Sequence, residues 1–146
     1  MKGRGPQKLI RPLVICLFRN NGRFLAALGN DSVKGYEFYR PLGGMIEFME
    51  TAEVALKREI MEELNEEIIN IKYLGTAENL FTYEGEPGHE IIMIYDADFV
   101  NRLLYEKEVI DVSEADIWYK AHWISNDDLL SGKVTVYPEA IKKLLI

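Results

Sequence analysis

The sequence contains one cysteine, Cys16, so an internal disulfide framework is excluded. That residue lies in the apolar run Leu13–Phe18, where a buried structural thiol fits and an activated nucleophile does not. No apolar run approaches the ~20 residues that cross a bilayer. Met1–Lys8 is polar and lacks the apolar centre of a signal peptide. Positive charge is also short, with 17 Lys and Arg against 24 Asp and Glu for a net charge of −7. That balance disfavours nonspecific attachment to nucleic acid or anionic membranes, so neither partner is expected. There is no internal repeat, low-complexity segment or linker. These absences predict a single domain over residues 1–146 with a cytoplasmic location. What is present, 48% hydrophobic and 28% charged residues, suffices for one globular core.

The chain is organised around residues 43–67, GGMIEFMETAEVALKREIMEELNEE. Thr51 is a suitable N-cap, and Glu53 places negative charge in the first turn, where the helix dipole favours it. Good helix formers follow without proline, which predicts a helix of 15 residues from Thr51 to Asn65. At 100° per residue, Ala52, Leu56, Glu59 and Glu63 share one stripe, which begins apolar and ends in carboxylates. Glu59, Glu62 and Glu63 form an i, i+3, i+4 cluster that repels itself by ~0.2–0.5 kcal/mol per pair. Glu66 and Glu67 add charge at the wrong end of the helix, and Lys57 and Arg58 offset only part of it. A solvated acidic face accounts for charge patterning alone. A divalent cation accounts for the clustering, because carboxylate oxygens are the hard ligands that Mg²⁺ or Mn²⁺ takes.

Gly44, Glu50, Arg58-Glu59 and Glu62-Glu63 stand at the spacing G-x5-E-x7-R-E-U-x-E-E, with Ile60 at the apolar U position. This resembles the Nudix box, the signature of the Nudix hydrolase family. The family's box closes on x-G-U, where this chain has Leu64, Asn65 and Glu66. Asn is the next-best residue to Gly for a left-handed helix end, so Asn65 can terminate the helix. Glu66 replaces an apolar residue, and Ile68 or Ile69 is expected to supply the lost packing.

On either side of the box the chain reads as mixed α/β. Leu13–Phe18 is a buried strand, Asn20-Asn21-Gly22 a turn, and Arg23–Leu28 the hairpin partner. After a polar loop, Tyr36–Leu42 is a strand leading into Gly43-Gly44, so the box sits in a strand–turn–loop–helix context. Asn70–Tyr83 reads as one long strand or as one interrupted near Gly75 and Asn79, Glu84–Gly88 as a turn, and Glu90–Val100 as a strong strand. Arg102–Ile117 is polar and acidic, a long loop with at most a short strand. Ala121–Ile124 is a strand, Asn126–Leu130 a helix start capped by Asn126 or Ser125, and Pro138–Leu145 a helix with Pro138 near N1. The family resemblance implies an α/β/α sandwich: a central mixed sheet, the loop–helix of about 43–66, and a C-terminal helix.

The resemblance also implies a site. Glu59, Glu62 and Glu63 would hold Mg²⁺ or Mn²⁺, with a main-chain carbonyl of Gly43 or Gly44 completing the shell. Arg58, Glu59 and Glu62 would carry the catalysis, Arg58 by pairing with Glu50 and orienting Glu59; Gly44 and Glu50 would be structural. The general base is open among Glu59 and the acids outside the box, Glu90, Glu106, Glu108 and Glu114. His89-Glu90 also reads as a loop histidine beside a strand-edge carboxylate, and His122 as a packing residue. Tyr36, Phe38, Tyr39, Tyr83, Trp118 and Tyr119 are aromatics able to stack on a base or fill the core, and Arg40 is placed to meet a phosphate. The implied activity is hydrolysis of a diphosphate linked to another moiety, with a small nucleoside di- or triphosphate derivative the best-fitting substrate. ADP-ribose, sugar nucleotides, dinucleoside polyphosphates and capped RNA ends stay open, and a homodimer is a family-level expectation. Two other readings are a Nudix-fold module that binds a nucleotide without cleaving it, and a structural acidic-helix protein.

Overall fold

A computed structural model describes residues 8–145 of the chain; most of the polar Met1–Lys8 segment, and the last residue, lie outside the described residues. The strands are β1 (Ile10–Cys16), β2 (Arg19–Asn20), β3 (Arg23–Asp31), β4 (Tyr36–Met45), β5 (Ile68–Tyr83), β6 (Glu86–Phe99), β7 (Val109–Glu114) and β8 (Ile117–Ser125). The helices are α1 (Ala52–Leu64), α2 (Asn126–Leu130) and α3 (Ile141–Leu144), with a 3₁₀ turn over Arg102–Glu106. The strands form one mixed sheet in the order β5-β6-β1-β4-β3-β8-β7, with β2 on β3. β1 and β6 run parallel, while β1–β4, β3–β4, β3–β8, β5–β6 and β7–β8 are antiparallel. Among the described residues no helix is long and apolar enough to cross a membrane.

Alternation along β1 explains why the sheet has helices on both faces. Val14 and Cys16 point into a core shared with Ala52, Ala55, Leu56 and Ile60 of α1 and Tyr95, Ala97 and Phe99 of β6. Leu13, Ile15 and Leu17 point the other way, into a core with Ile92 and Ile94 of β6, Leu129 of α2 and Ile141 of α3. A strand buried on both faces reads as the continuous apolar run seen at 13–18. Cys16 is fully buried, and burial pushes its thiol well up from the ordinary value, as a structural cysteine requires.

The helix ends follow the sequence closely. Thr51 caps α1 by accepting from the Val54 N–H at 3.3 Å. Asn65 ends it in the left-handed region at φ 55°, its N–H donating to the Met61 carbonyl. Glu66 accepts from Asn101 Nδ2 at 3.0 Å, while Ile68 takes the buried place and Ile69 stays exposed. The Asn21-Gly22 turn between β2 and β3 has both φ values positive, 51° and 73°, as a two-residue hairpin demands.

Four expectations need correction. The strand before the box does not stop at Leu42: Gly43 and Gly44 are ladder residues of β4, opposite Ile15 and Val14. Of the two readings of Asn70–Tyr83, the long strand holds: the irregularity near Gly75 is a bulge and Asn79 pairs in register with Glu90. Its turn is only Glu84-Gly85, since Gly88 already lies in β6 with the Phe81 ring where a Cβ would stand. The acidic stretch after Arg102 is no long loop: it makes the 3₁₀ turn and then a β7–β8 hairpin through Ala115-Asp116, both at positive φ. The C-terminal helix begins at Ile141, not near Pro138, which follows a cis bond. The chain before it is tied to β4, with the Tyr39 N–H donating to the Thr135 carbonyl and the Tyr137 N–H to the Tyr39 carbonyl.

At Gly43 a Cβ would overlap the Val14 carbonyl in the neighbouring strand, and its φ is 154°. Gly43→Ala is therefore expected to cost about 1–3 kcal/mol, read as a lower urea midpoint. Gly75→Ala, where a Cβ meets nothing within 4 Å, should stay within about 0.5 kcal/mol of the parent. Equal midpoints for the two variants would show that the β1–β4 approach is not what requires the glycine.

Candidate functional site

Arg58 is the hub of the site. Its Nε donates to Glu50 Oε2 at 2.7 Å and its Nη2 to Glu50 Oε1 at 2.9 Å, a bidentate pair. Nη2 also reaches the Met45 carbonyl at 3.0 Å, and Nη1 donates to Glu59 Oε1 at 2.9 Å. One guanidinium thus joins the end of β4, the loop after it and two turns of α1. Glu50 Oε1 further accepts the Glu47 N–H at 2.9 Å, closing the loop. Hydrogen bonds from Arg58, then from the Glu47 N–H, hold the Glu50 carboxyl at about 2, so it is ionised at any working pH. The i, i+4 contact with Glu62 is longer, 3.4 Å, and Glu62 is 60% exposed; the pairing with Glu50 dominates.

Glu59 and Glu63 face inward along the predicted stripe. The Glu59 carboxylate lies against Gly44, where a Cβ would overlap it. Burial raises its pKa, partly countered by Arg58, with Glu62 and Glu114 adding to the rise. Glu63 is 5% exposed. Its Oε2 accepts from the Tyr119 hydroxyl at 2.8 Å, and its Oε1 is buried with no hydrogen-bond partner. Burial pushes the Glu63 carboxyl up to about 8, the negative charges of Glu59, Glu114 and Glu62 working the same way and Tyr119 against it. Burial and the Glu63 charge likewise raise the Tyr119 phenol well above its ordinary value.

The donor set therefore fits a hard divalent cation: carboxylate oxygens only, one of them buried and unsatisfied, and a glycine that leaves room for another. Among the described residues no three His, Cys, Asp or Glu side chains already stand as a ligand group. Glu59 is held by Arg58 and Glu62 is turned outward, so the set is not assembled beforehand.

The other acids fall into different places. Glu106 and Glu108 are exposed, before the start of β7. Glu114 is at its far end, where its charge bears on Glu59 and Glu63. Glu114 lies six positions on from Glu108, about 20 Å of strand, so of Glu106, Glu108 and Glu114 it is Glu114 that the fold brings to the cluster. Glu90 shares the sheet face of Ile92 and Ile94, opposite the face that packs on α1. It is fully buried: Oε1 accepts from Arg40 Nη2 at 2.8 Å and Asn79 Nδ2 at 3.3 Å, and Oε2 has no partner. Glu90 is thus kept apart from Glu59 and Glu63, and Arg40 meets a carboxylate. His122 packs edge-on to Tyr39, Phe38 sits between Tyr83 and Tyr137, and Tyr36 hydrogen-bonds Tyr137. Trp118 is 69% exposed. Tyr119, grouped in sequence with the stacking aromatics, instead meets Glu63, a contact no local spacing announces.

The NUDIX domain model matches residues 9–143 of the chain. No curated protein matches it. Among solved structures, a MutT NUDIX hydrolase from Burkholderia pseudomallei is similar at 22% identity and TM-score 0.69, covering 95% of this chain and 99% of that one. The Escherichia coli ORF135 protein is similar at 20% identity and TM-score 0.59, over 97% and 91%. A NUDIX hydrolase from Nitrosomonas europaea is similar at 13% identity and TM-score 0.63, over 92% and 85%. At these identities the neighbours bear on the fold, which is the mixed sheet with few helices described above.

Glu63 carries a pH signature in the metal-free protein. Its carboxyl titrates at 4.5 ordinarily and at about 8 in the fold. Between those values the folded state holds a proton that the unfolded state has released. Stability present below pH 4.5 therefore falls as pH rises and levels off near 8. Urea unfolding in EDTA should lose on the order of a few kcal/mol between pH 5 and 8.5, and Glu63→Gln should lose much less. Equal losses in both proteins would refute the assignment to Glu63.

Proposed function

We propose a reaction on one premise: the chain belongs to the NUDIX domain family. It is a Nudix-type hydrolase acting on phosphoanhydride bonds, and the reading is a pyrophosphohydrolase that cleaves the diphosphate of a nucleoside diphosphate linked to another moiety. The observation that carries it is the buried Glu63 carboxylate with Oε1 unpartnered, beside a Glu59 carboxylate seated on Gly44. An anion so placed is costly unless a cation completes it.

Mg²⁺ or Mn²⁺, of the kind Nudix hydrolases generally use, would neutralise the diphosphate oxygens and lower the pKa of the attacking water. Glu59, Glu63 and Glu62 would hold it, with the Gly43 carbonyl as a further oxygen. Arg58 holds Glu59 in place and offsets part of its burial, and Glu50 keeps Arg58 in place. The base is sought in Glu114, which bears on the cluster from β7, and in Glu59 itself. A small nucleoside di- or triphosphate derivative is the substrate class proposed. A nucleotide-binding module without turnover is the second reading, favoured by a ligand set that is not preassembled.

A panel of nucleoside diphosphate derivatives with Mg²⁺, Mn²⁺ or EDTA, read by phosphate that a coupling phosphatase or pyrophosphatase frees from the products and by mass spectrometry of those products, tests the reading. Metal-dependent cleavage between two phosphates is expected, with Glu59→Gln and Glu63→Gln keeping the parent's circular dichroism and losing more than about 100-fold in turnover. Full turnover in both variants would overturn the site. Nucleotide that raises the melting temperature without any cleavage would favour the binding module.

A further inference from the structure

We propose that Tyr119 is the positioning residue that sets Glu63 for the cation, an inference resting on the metal-dependent reading above. Glu63 is buried in a place where its two carboxylate oxygens have different fates: Oε2 is taken by the Tyr119 hydroxyl at 2.8 Å, and Oε1 has no partner in the protein. A glutamate has three side-chain torsions, and a helix fixes few of them. The phenol selects one arrangement by holding the far oxygen, and its own ring is partly buried, so the donor does not wander. With Oε2 engaged by the phenol, Oε1 is the oxygen that Glu63 would offer first to a cation.

The sequence separates the two residues by 56 positions. The hairpin brings them together: Tyr119 stands opposite Val112 in the β7–β8 ladder, and Val112 is buried in the same core as α1. Tyr119 thus reaches the site from an element outside the box and orders the carboxylate without touching substrate.

The bland alternative is a hydroxyl that merely satisfies a buried carboxylate. The two differ in what the cation feels. Mn²⁺ binding to the substrate-free full chain, followed by electron paramagnetic resonance, should weaken about 10- to 100-fold in Tyr119→Phe. Adding Tyr119→Phe to Glu63→Gln should change nothing further, because the hydroxyl acts through Glu63. Tyr119→His, which keeps a donor, should bind Mn²⁺ with intermediate affinity and carries the test if the phenylalanine variant does not fold. Parental Mn²⁺ affinity in Tyr119→Phe, an equal loss in the Glu63→Gln background, or a histidine variant as weak as Glu63→Gln would each overturn the proposal while leaving the hydrolase reading standing. A parent chain that binds no Mn²⁺ would remove both.

Discussion

Everything at the site depends on one guanidinium. Arg58 touches the carboxylates of Glu50 and Glu59 and the carbonyl of Met45, and by doing so ties together the polar ends of three segments whose apolar residues share one core. A lysine would carry the same charge and none of the fork. The charge matters as well: three glutamates within two turns of a helix repel one another, and the last turn of α1 has no basic residue. Arg58 is the internal counter-charge, placed where it neutralises Glu50 and Glu59 while Glu63 lies beyond its reach.

That leaves Glu63 as the uncompensated member. The fold does not avoid the cost of burying it. The sheet places an apolar core under Ala52, Ala55, Leu56 and Ile60 and lets the same stripe run on into a carboxylate. Binding surfaces often store local instability in this way, the rest of the core offsetting it. Here the sheet carries a buried core on each face, so the cost of one buried carboxylate is tolerable.

What was legible in the sequence was local. Thr51, Asn65 and the Asn21-Gly22 turn are signals carried within a few residues, and the structure places each as read. What was not legible depends on pairing across the sheet. Arg102–Ile117 is rich in acids and looks like loop until β8 pairs with it, because a hairpin turned by Ala115-Asp116 lacks a glycine to mark it. Glu90 looks like a strand-mouth acid until the alternation of β6 is anchored by Ile92 and Ile94. Tyr119 is one aromatic among many until the hairpin sets it over Glu63.

The two adjacent glycines of β4 illustrate how one dipeptide can answer to separate selective pressures. Gly43 is confined by the main chain of the neighbouring strand, Gly44 by the tip of a movable side chain. A bulkier residue at the first disturbs the scaffold; at the second it displaces Glu59 and spares the scaffold. In a mutational library sorted first for soluble expression and then for turnover, the losses at these two positions would appear in different sorts, although the letters are the same.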